Sequence, residues 1–333
     1  MKKVLTIVLV LSLVFTSVFA AGTKETAAQA SAGETTLKWA LWDIASTTYY
    51  EPLIKAYEAK NPNVKIEMLD LGSADFMTML QTQLSGGDSS IDVVTIKDIP
   101  GYNNLVKRNL LLNLNDKIKS EGVDLSLYGG TTDQISVDSK LYGIPFRSDF
   151  WIVYYNKDVF DKAGVAYPDN DMTFAEYDAL ARKMTSGVGA NKVYGAHYHT
   201  WRSAVQLFGI LDGKNTIVGG TYDFLKPYYQ MVLNQQKDGV VQDYATLKTS
   251  STHYSGVFYN NSVAMMNMGS WFIATLIDQI DQGKTEVKNW GLAKYPHAEG
   301  IPAGTTLGTI TSLGVSNASK KQDAAFDFVK FVT

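Results

Sequence analysis

Three carboxylates stand where the sequence changes from apolar to polar. Asp43 follows the apolar segment LKWALW, Asp98 follows IDVVTI, and Asp149 lies in LYGIPFRSDFWIVYYNK, two residues after Arg147. Charged groups beside a buried strand must lie at a sheet edge, in a cleft or in an ion pair. In a cleft they could hydrogen-bond a polar ligand, and two carboxylates about 5 to 9.5 Å apart could hydrolyse a glycoside. A local ion pair between Arg147 and Asp149 is the alternative that needs no ligand.

Flat aromatic rings accompany these charges. Trp42 directly precedes Asp43, Trp201 follows AHYHT, and Trp271 follows a Gly-Ser pair. An indole ring can cover the apolar face of a ligand, and Thr47 offers a hydroxyl group close to Asp43 in the sequence. Each tryptophan could instead belong to the core, and Asp43 or Thr47 could instead cap the helix that follows. Both roles therefore stay open for each of these residues.

A histidine pair is the one pattern that suggests a metal. His197 and His199 are two residues apart, so on a strand their imidazoles share one face and could bind zinc. The chain has four histidines and no cysteine, and no acidic cluster accompanies the pair. Phosphate-binding, dinucleotide-binding and nucleophile-elbow motifs are also absent from the sequence. We expect neither a metal nor any other cofactor.

Length and charge narrow the class of protein. The chain has 333 residues, and at about 100 to 200 residues per domain this suggests two domains. Its formal net charge is −3, and no cluster of lysine and arginine stands out. Nucleic acid and anionic membrane surfaces are therefore not expected as partners.

The N-terminus has the pattern of a secretory leader. Residues 1–20 combine two lysines, an apolar run and small residues at the end, which predicts a cleaved signal peptide. The alternative, a membrane anchor, would need about 20 apolar residues. Residues 21–36 are small and polar and predict a flexible linker. Without a cysteine there is no lipobox for acylation, so we expect an exported protein, either periplasmic or in the cell envelope.

The elements that must position these side chains alternate in the first half. Strands are predicted at residues 37–42, 64–69 and 91–96, with helices at 47–62 and 76–87 between them. This order predicts an α/β fold with a parallel sheet and crossover helices. Ligands of such sheets bind beyond the carboxyl ends of the strands, which is where Trp42, Asp43, Thr47 and Asp98 would lie.

A second region of alternating elements follows. The segment FWIVYY predicts a strand buried on both faces, and residues 173–185 predict a helix with a capping box of Thr173 and Glu176. Further strands are predicted in VYGAHYH and NWGLAKYP, a helix around residues 224–231, and a strand, break and helix over 262–280. Two α/β lobes are expected, with the chain passing between them near Pro145 and Phe146.

The order of several segments carries a family resemblance. LYGIPFRSDFWIVYYNKDVFDKAG, NSVAMMNMGSW and WGLAKYP, together with KNPNVKIE, DVVTIKD and AAFDFVKFVT, resemble the extracellular solute-binding proteins of bacterial sugar ABC transporters. That family includes maltose-binding protein. The resemblance runs from about Leu37 to Thr333, and the order and spacing of the segments make it specific.

The resemblance implies a two-lobed type II periplasmic binding protein fold with a hinge between the lobes. The first lobe would comprise residues 37–146 and, after the chain returns, residues 297–333. Residues 147–296 would form the second lobe. Family members usually continue with several more helices beyond the position of Thr333, so the C-terminal part is expected to be missing here.

The same resemblance implies a transport function. The protein would capture a sugar or oligosaccharide between the lobes as a monomer, without catalysis, and deliver it to the transmembrane permease subunits. Alternatives with the same fold are a peptide, a polyamine or glycerol phosphate as the ligand. An anionic ligand should require more basic residues than Lys97, Arg147 and Arg202 supply. A secreted glycosidase is the alternative from another class.

Some site residues follow from the resemblance and others from position alone. Asp98 corresponds to a sugar-binding aspartate, and Trp271 to a tryptophan that stacks on sugar. Ser270 would present its backbone amide where a helix begins, and Arg147 and Asp149 would lie at the mouth of the cleft. Position at or just after the end of a predicted strand is the reason for including Trp42, Asp43, Thr47 and Trp201.

Overall fold

The computed structural model describes residues 33–333. The predicted leader and residues 21–32 of the predicted linker lie outside the described residues. Thr35 and Thr36, predicted as the end of that linker, belong instead to the first strand, because both pair with the neighbouring strand of the sheet. Among the described helices, none has the length and apolar character that crossing a membrane requires.

Eight β-strands lie within the described part of the chain. They are β1 (Thr35–Leu41), β2 (Val64–Asp70), β3 (Val93–Ile96), β4 (Ile144–Asn156), β5 (Tyr194–His197), β6 (Val263–Gly269), β7 (Trp290–Ala293) and β8 (Gly308–Val315). The strand β8 was not predicted. The others overlap the segments that the hydrophobic pattern indicates.

The described helices connect these strands and cover the sheets. They are α1 (Tyr50–Lys60), α2 (Phe76–Ser85), α3 (Ile99–Lys107), α4 (Asn115–Ser120), α5 (Thr131–Gln134), α6 (Lys157–Ala163), α7 (Phe174–Met184), α8 (Ser203–Ile210), α9 (Lys226–Lys237), α10 (Tyr244–Thr249), α11 (Tyr254–Tyr259), α12 (Phe272–Asp281) and α13 (Gln322–Val332). The predicted capping box is confirmed at α7. Thr173 N donates to Glu176 Oε2 at 2.8 Å, and Glu176 N donates to Thr173 Oγ1 at 3.3 Å.

The strands follow one continuous order, β2-β1-β3-β8-β4-β6-β5, with β7 also paired to β4. The predicted parallel pairing is confirmed, because β1 is parallel to both β2 and β3. The strand β8 lies antiparallel between β3 and β4 and completes the first sheet. The carboxyl ends of β1 and β3 therefore lie at the same edge of the sheet, as predicted.

The long strand β4 belongs to two sheets. Its residues 144–150 pair with β8, and its residues 151–156 pair with β6 and β7. The prediction that FWIVYY is buried on both faces holds for residues 151–155 and is wrong for Phe150, which is 47% exposed. Phe150 stands at the point where β4 passes from one sheet to the other, so neither core covers it.

Separate cores support the two sheets. One core contains Trp39, Tyr50 and Phe328 and draws its residues from 37–144 and 310–329. The second sheet is covered on both faces, and its two main clusters draw their residues from 151–295. The lobe boundaries given above stay a prediction.

A buried carboxylate ties the first lobe together. Asp92 is fully buried and accepts hydrogen bonds from Lys38 N at 3.0 Å and from Ser319 Oγ at 2.5 Å. The ammonium group of Lys321 lies 3.3 Å from its Oδ2. Burial of a charge is costly unless the charge is paired and hydrogen-bonded, and here three partners meet that need. The returning segment is thereby fixed to the strands that open the chain.

Candidate ligand-binding site

The end of β1 places Trp42 among charged side chains. Its ring lies 4.7 Å from Phe76, and Lys97 Nζ and Arg147 Cζ lie 5.0 and 5.3 Å from the ring centroid. Only 6% of the residue is exposed. Protein groups thus surround much of the indole, which favours a structural role. Contact between Trp42 and a ligand stays a prediction.

The carboxylate of Asp43 differs from those of Asp98 and Asp149 because it has no partner among the described residues. The residue has φ 51°, which turns the chain sharply after β1. Its carbonyl oxygen accepts hydrogen bonds from Thr47 Oγ1 at 2.9 Å and Ser46 Oγ at 3.2 Å, so the Thr47 hydroxyl is used locally. Although Asp43 precedes a 3-10 turn, its side chain does not cap that turn. Its carboxylate has no hydrogen bond or ion pair with any described residue.

Asp98 lies at the end of β3 and caps a helix. Its Oδ1 accepts a hydrogen bond of 2.7 Å from Gly101 N in the first turn of α3. The neighbouring Lys97 donates to the Ser73 carbonyl at 2.7 Å. Burial lowers the pKa of Lys97, and the Asp43 and Asp98 carboxylates oppose that shift. The second oxygen of Asp98, Oδ2, makes no hydrogen bond with a described residue.

Arg147 and Asp149 form the local ion pair considered from the sequence. Arg147 Nε lies 3.3 Å from Asp149 Oδ2, at an angle that does not give a hydrogen bond. Arg147 Nη1 donates to Tyr49 Oη, and Asp149 Oδ1 accepts from Ser270 Oγ at 2.9 Å. Burial alone would lower the pKa of Arg147, but Tyr49 and Asp149 together raise it.

This chain of contacts connects the two lobes. Tyr49 precedes α1 in the first lobe, Arg147 and Asp149 lie on β4, and Ser270 follows β6 in the second lobe. Ser270 N also donates to the Phe150 carbonyl at 2.8 Å. We call Tyr49, Arg147, Asp149 and Ser270 the hinge network. The polar atoms of these residues already bind one another, so fewer of them can bind a ligand than the sequence suggested.

Aromatic rings gather on the second lobe. Trp201 lies 6.0 Å from Trp271 and 5.6 Å from Tyr254, and Trp151 lies 5.7 Å from Trp271. His199 adds its ring 4.5 Å from Trp201. We call these five residues the aromatic wall. Trp201 and Trp271 are partly exposed, whereas Trp151 and Tyr254 are buried behind them. The structure thus brings the two predicted tryptophans together.

A glycine allows Trp271 to adopt this position. A Cβ atom built on Gly269 would lie 2.0 Å from the Trp271 ring, closer than any real contact. The ring therefore lies against the bare backbone at the end of β6. Only a glycine at position 269 leaves room for the Trp271 ring in this place.

Charge acts across the space between the lobes. Burial raises the pKa of Tyr254, and the carboxylate of Asp43 adds to that shift. Burial lowers the pKa of His253, and Asp43 opposes that shift. The unpaired carboxylate of the first lobe therefore acts on the aromatic wall of the second.

Comparison with known proteins decides the family. The sequence model of one protein family, the bacterial extracellular solute-binding proteins, matches residues 42–333 of this chain. The chain belongs to this family.

Solved structures show the fold of this solute-binding protein. A sugar transporter from Rhizobium etli, in an open conformation, is 56% identical with a TM-score of 0.70, over 90% of this chain and 76% of that one. An ABC substrate-binding protein from Listeria monocytogenes in complex with cycloalternan is 24% identical with a TM-score of 0.75, over 90% and 75%. The predicted two-lobed periplasmic binding protein fold is confirmed.

Curated relatives give the same family. The lactose-binding protein of Rhizobium radiobacter is 27% identical, over 90% of this chain and 70% of that protein. The arabinooligosaccharide-binding protein of Bacillus subtilis is 24% identical, over 99% and 76%. The family is extracellular by description, which agrees with the predicted export of this solute-binding protein.

Two site residues of this solute-binding protein, Tyr49 and Tyr254, were not predicted from the sequence. Tyr49, which binds Arg147, stands in TTYYEP, where the helical pattern made it part of a predicted helix. Tyr254 stands in STHYSG, which has no pattern that indicates a ligand site. The His-x-His pair was a usable signal for the aromatic wall, although the sequence suggested only zinc as its possible ligand, and no metal was expected. The described residues contain no group of three or more His, Cys, Asp or Glu placed to hold a metal.

Both histidines of that pair are held neutral by burial. His197 is 1% exposed and His199 is 9% exposed. Burial lowers the pKa of His197 to about 3 and that of His199 to about 4. Neither nitrogen of His197 has a hydrogen-bond partner in the described chain. Acid should therefore destabilise this part of the second lobe.

We expect His197→Phe to reduce the loss of stability that occurs as the pH falls below about 6.5. The pKa of His197 is about 6.5 in the unfolded chain and about 3 in the folded one. The unfolded state therefore binds more protons between these values, and stability present above pH 6.5 is lost as the pH falls. The free energy of unfolding, measured in urea, should fall between pH 7 and pH 5 by about 2 kcal/mol less in the variant than in the wild type. Parallel curves for the two proteins would contradict this assignment.

Proposed function

We propose that this protein is the sugar-binding component of an ABC transporter. It captures a neutral sugar or oligosaccharide between its lobes and delivers it to the transmembrane permease subunits. The observation that carries the proposal is the aromatic wall, whose partly exposed Trp201 and Trp271 lie side by side on the second lobe. The unpaired Asp43 carboxylate of the first lobe acts on the pKa of Tyr254 in the same wall. The names of relatives that bind lactose and arabinooligosaccharides support it.

The chemistry of a sugar matches these groups. A pyranose ring presents apolar C–H faces, which aromatic rings cover, and hydroxyl groups around its edge, which carboxylates and amides can bind. Hydrogen bonds to a charged group contribute about 1.5 to 3 kcal/mol each. Asp43 and the free oxygen of Asp98 lie at the carboxyl ends of β1 and β3, where a ligand of this fold is expected.

The balance of charge favours a neutral ligand over glycerol phosphate. Arg147 is paired with Asp149, and Lys97 is hydrogen-bonded and flanked by the charges of Asp43 and Asp98. A phosphate is held best by several cations that are free of other partners. Of the three cations considered from the sequence, only the exposed Arg202 has neither an ion pair nor a side-chain hydrogen bond with a described residue, and the carboxylate of Asp43 is also without a partner. A tripeptide and a polyamine are controls in the thermal-shift screen that tests the proposal.

Binding without catalysis is also favoured by the carboxylates. A glycosidase needs one carboxylic acid and a second carboxylate on opposite sides of the bond that breaks. Asp149 is committed to Arg147 and Ser270, and Asp98 caps α3. We therefore propose a non-enzymatic monomer, free in a periplasmic or envelope space. Its lobes would comprise residues 37–146 with 297–333, and residues 147–296, and would close on the ligand by hinge motion.

We expect a thermal-shift screen to identify the ligand. The panel should contain lactose, maltotriose, arabinotriose and mannitol, with a tripeptide, spermidine and glycerol 3-phosphate as controls. A ligand of the native state stabilises it by about 2.7 kcal/mol at one hundred times the Kd, so a bound sugar should raise the Tm. The sugar should be recovered unchanged. A shift with the controls only, or conversion of the sugar to product, would contradict the proposal.

A further inference from the structure

One side chain of the aromatic wall, that of His199, has ring nitrogens that make no hydrogen bond within the described residues. His199 lies two residues beyond β5, at the carboxyl end of that strand, and its ring is edge-on to Trp201 at 4.5 Å. Tyr254 and His253 lie 5.4 and 6.1 Å away. Asp149 and Ser270, by contrast, are bound within the hinge network.

The nitrogens of His199 lack protein partners. Neither nitrogen makes a hydrogen bond with a described residue, and because Nδ1 is fully enclosed, Nε2 is the nitrogen that a ligand can reach. Buried polar atoms without a partner are rare in native proteins, because each one lowers stability. An imidazole kept in this position beside a partly exposed tryptophan is therefore suited to a partner that comes from outside the chain.

The protonation state of His199 selects the kind of partner. Burial lowers its pKa to about 4, and the neighbouring His253 and Lys248 act in the same direction. At pH 7 the ring is therefore neutral, with one N–H donor and one acceptor nitrogen. A sugar hydroxyl can both donate and accept, so it fits such a ring in either tautomer. A carboxylate or phosphate would gain no ion pair with this neutral ring.

We infer that His199 hydrogen-bonds a hydroxyl of the sugar that stacks on Trp201, and that it selects for the presence of that hydroxyl. The inference rests on the proposed function. A binding group that is neutral and enclosed discriminates well, because a ligand that lacks the matching hydroxyl leaves the imidazole without a partner in the closed complex.

The test compares His199→Phe with the wild-type protein. The variant keeps a flat ring beside Trp201 and removes both nitrogens. The probe is the panel sugar that binds the wild type most tightly, together with its monodeoxy analogues. We expect the variant to bind that sugar about tenfold or more weakly in calorimetry. We also expect one monodeoxy analogue to be rejected by the wild type and no longer rejected by the variant. His297→Phe is the matched control, because the His297 ring contacts the carbonyl oxygens of Asp171 and Ala298, outside the aromatic wall, and its loss should leave affinity unchanged.

A second measurement keeps the inference testable if His199→Phe does not fold. The ¹⁵N chemical shifts of the His199 ring in the wild-type protein should change when the sugar binds, and those of His297 should not. Unchanged shifts, or a folded variant with wild-type affinity and discrimination, would overturn this inference alone. Failure of every sugar to bind the wild type would overturn the proposed function, and the inference with it.

Discussion

Trp271→Ala is expected to weaken sugar binding by about thirtyfold or more. The ring is held between the bare backbone of Gly269 and the edge of Trp151, so its position is fixed before a ligand arrives. Large aromatic side chains at the centre of a binding surface commonly contribute about 2 kcal/mol or more, which corresponds to about thirtyfold in Kd. Isothermal titration with the best sugar of the panel would measure the loss.

A second variant separates the position of the ring from its presence. Gly269→Ala leaves Trp271 in the chain but forces its ring to move, because the new Cβ would lie 2.0 Å from it. We expect most of the loss seen in Trp271→Ala to recur. Gly256→Ala is the matched control, since a Cβ at Gly256 would meet nothing within 4 Å and its φ is not positive. Wild-type affinity in Trp271→Ala would remove the aromatic wall from the proposed site.

Asp149→Ala is expected to cause a large loss of stability. The substitution leaves the part-buried guanidinium of Arg147 without its counterion and removes the acceptor of Ser270 Oγ. Removal of one partner of a buried ion pair lowers the free energy of unfolding by about 3 to 5 kcal/mol. Urea unfolding of the variant would measure it. Lys55→Ala is the control, because its ion pair with Glu51 is exposed and the change should be within about 0.5 kcal/mol.

A double variant tests the reason for that loss. If the cost of Asp149→Ala comes from the uncompensated charge, then Arg147→Met with Asp149→Leu should recover much of the stability, because no charge is left buried. A double variant as unstable as the single one would instead point to packing in the hinge strand. A stable Asp149→Ala would show that solvent already compensates Arg147.

The parts of the fold that follow from local patterns were predictable. The strands β1 to β3 are apolar runs between turn residues, and α7 begins with a capping box, so neighbours in the sequence determine them. The strand β8, GTITSLGV, has glycines and threonines among its apolar residues, and it is ordered by β3 and β4 on either side. Those partners lie more than 150 residues earlier in the chain. No local pattern could indicate that pairing.

In the candidate site, too, some residues could be predicted from the sequence, whereas the contacts between them could not. Trp201 and Trp271 could be proposed from their places after strands, but the contact between them depends on how β5 and β6 pair. The partners of Asp149 and Arg147 were out of reach for the same reason. Ser270 is 121 residues from Asp149, and Tyr49 is 98 residues from Arg147. Sequence spacing identifies candidate side chains, whereas their partners depend on contacts across the fold.

The place of β8 between β3 and β4 also sets an order of assembly. The first half of β4 has no other partner in the first sheet, so its backbone groups and one edge of β3 stay unpaired until residues 308–315 are available. About 160 residues separate the start of β4 from β8, which is about 10 to 30 s of synthesis at 5 to 20 residues per second. The second sheet, whose core residues come from 151–295, can fold during that interval. The first lobe waits with open strand edges, which makes it the part most exposed to misassociation with another nascent chain.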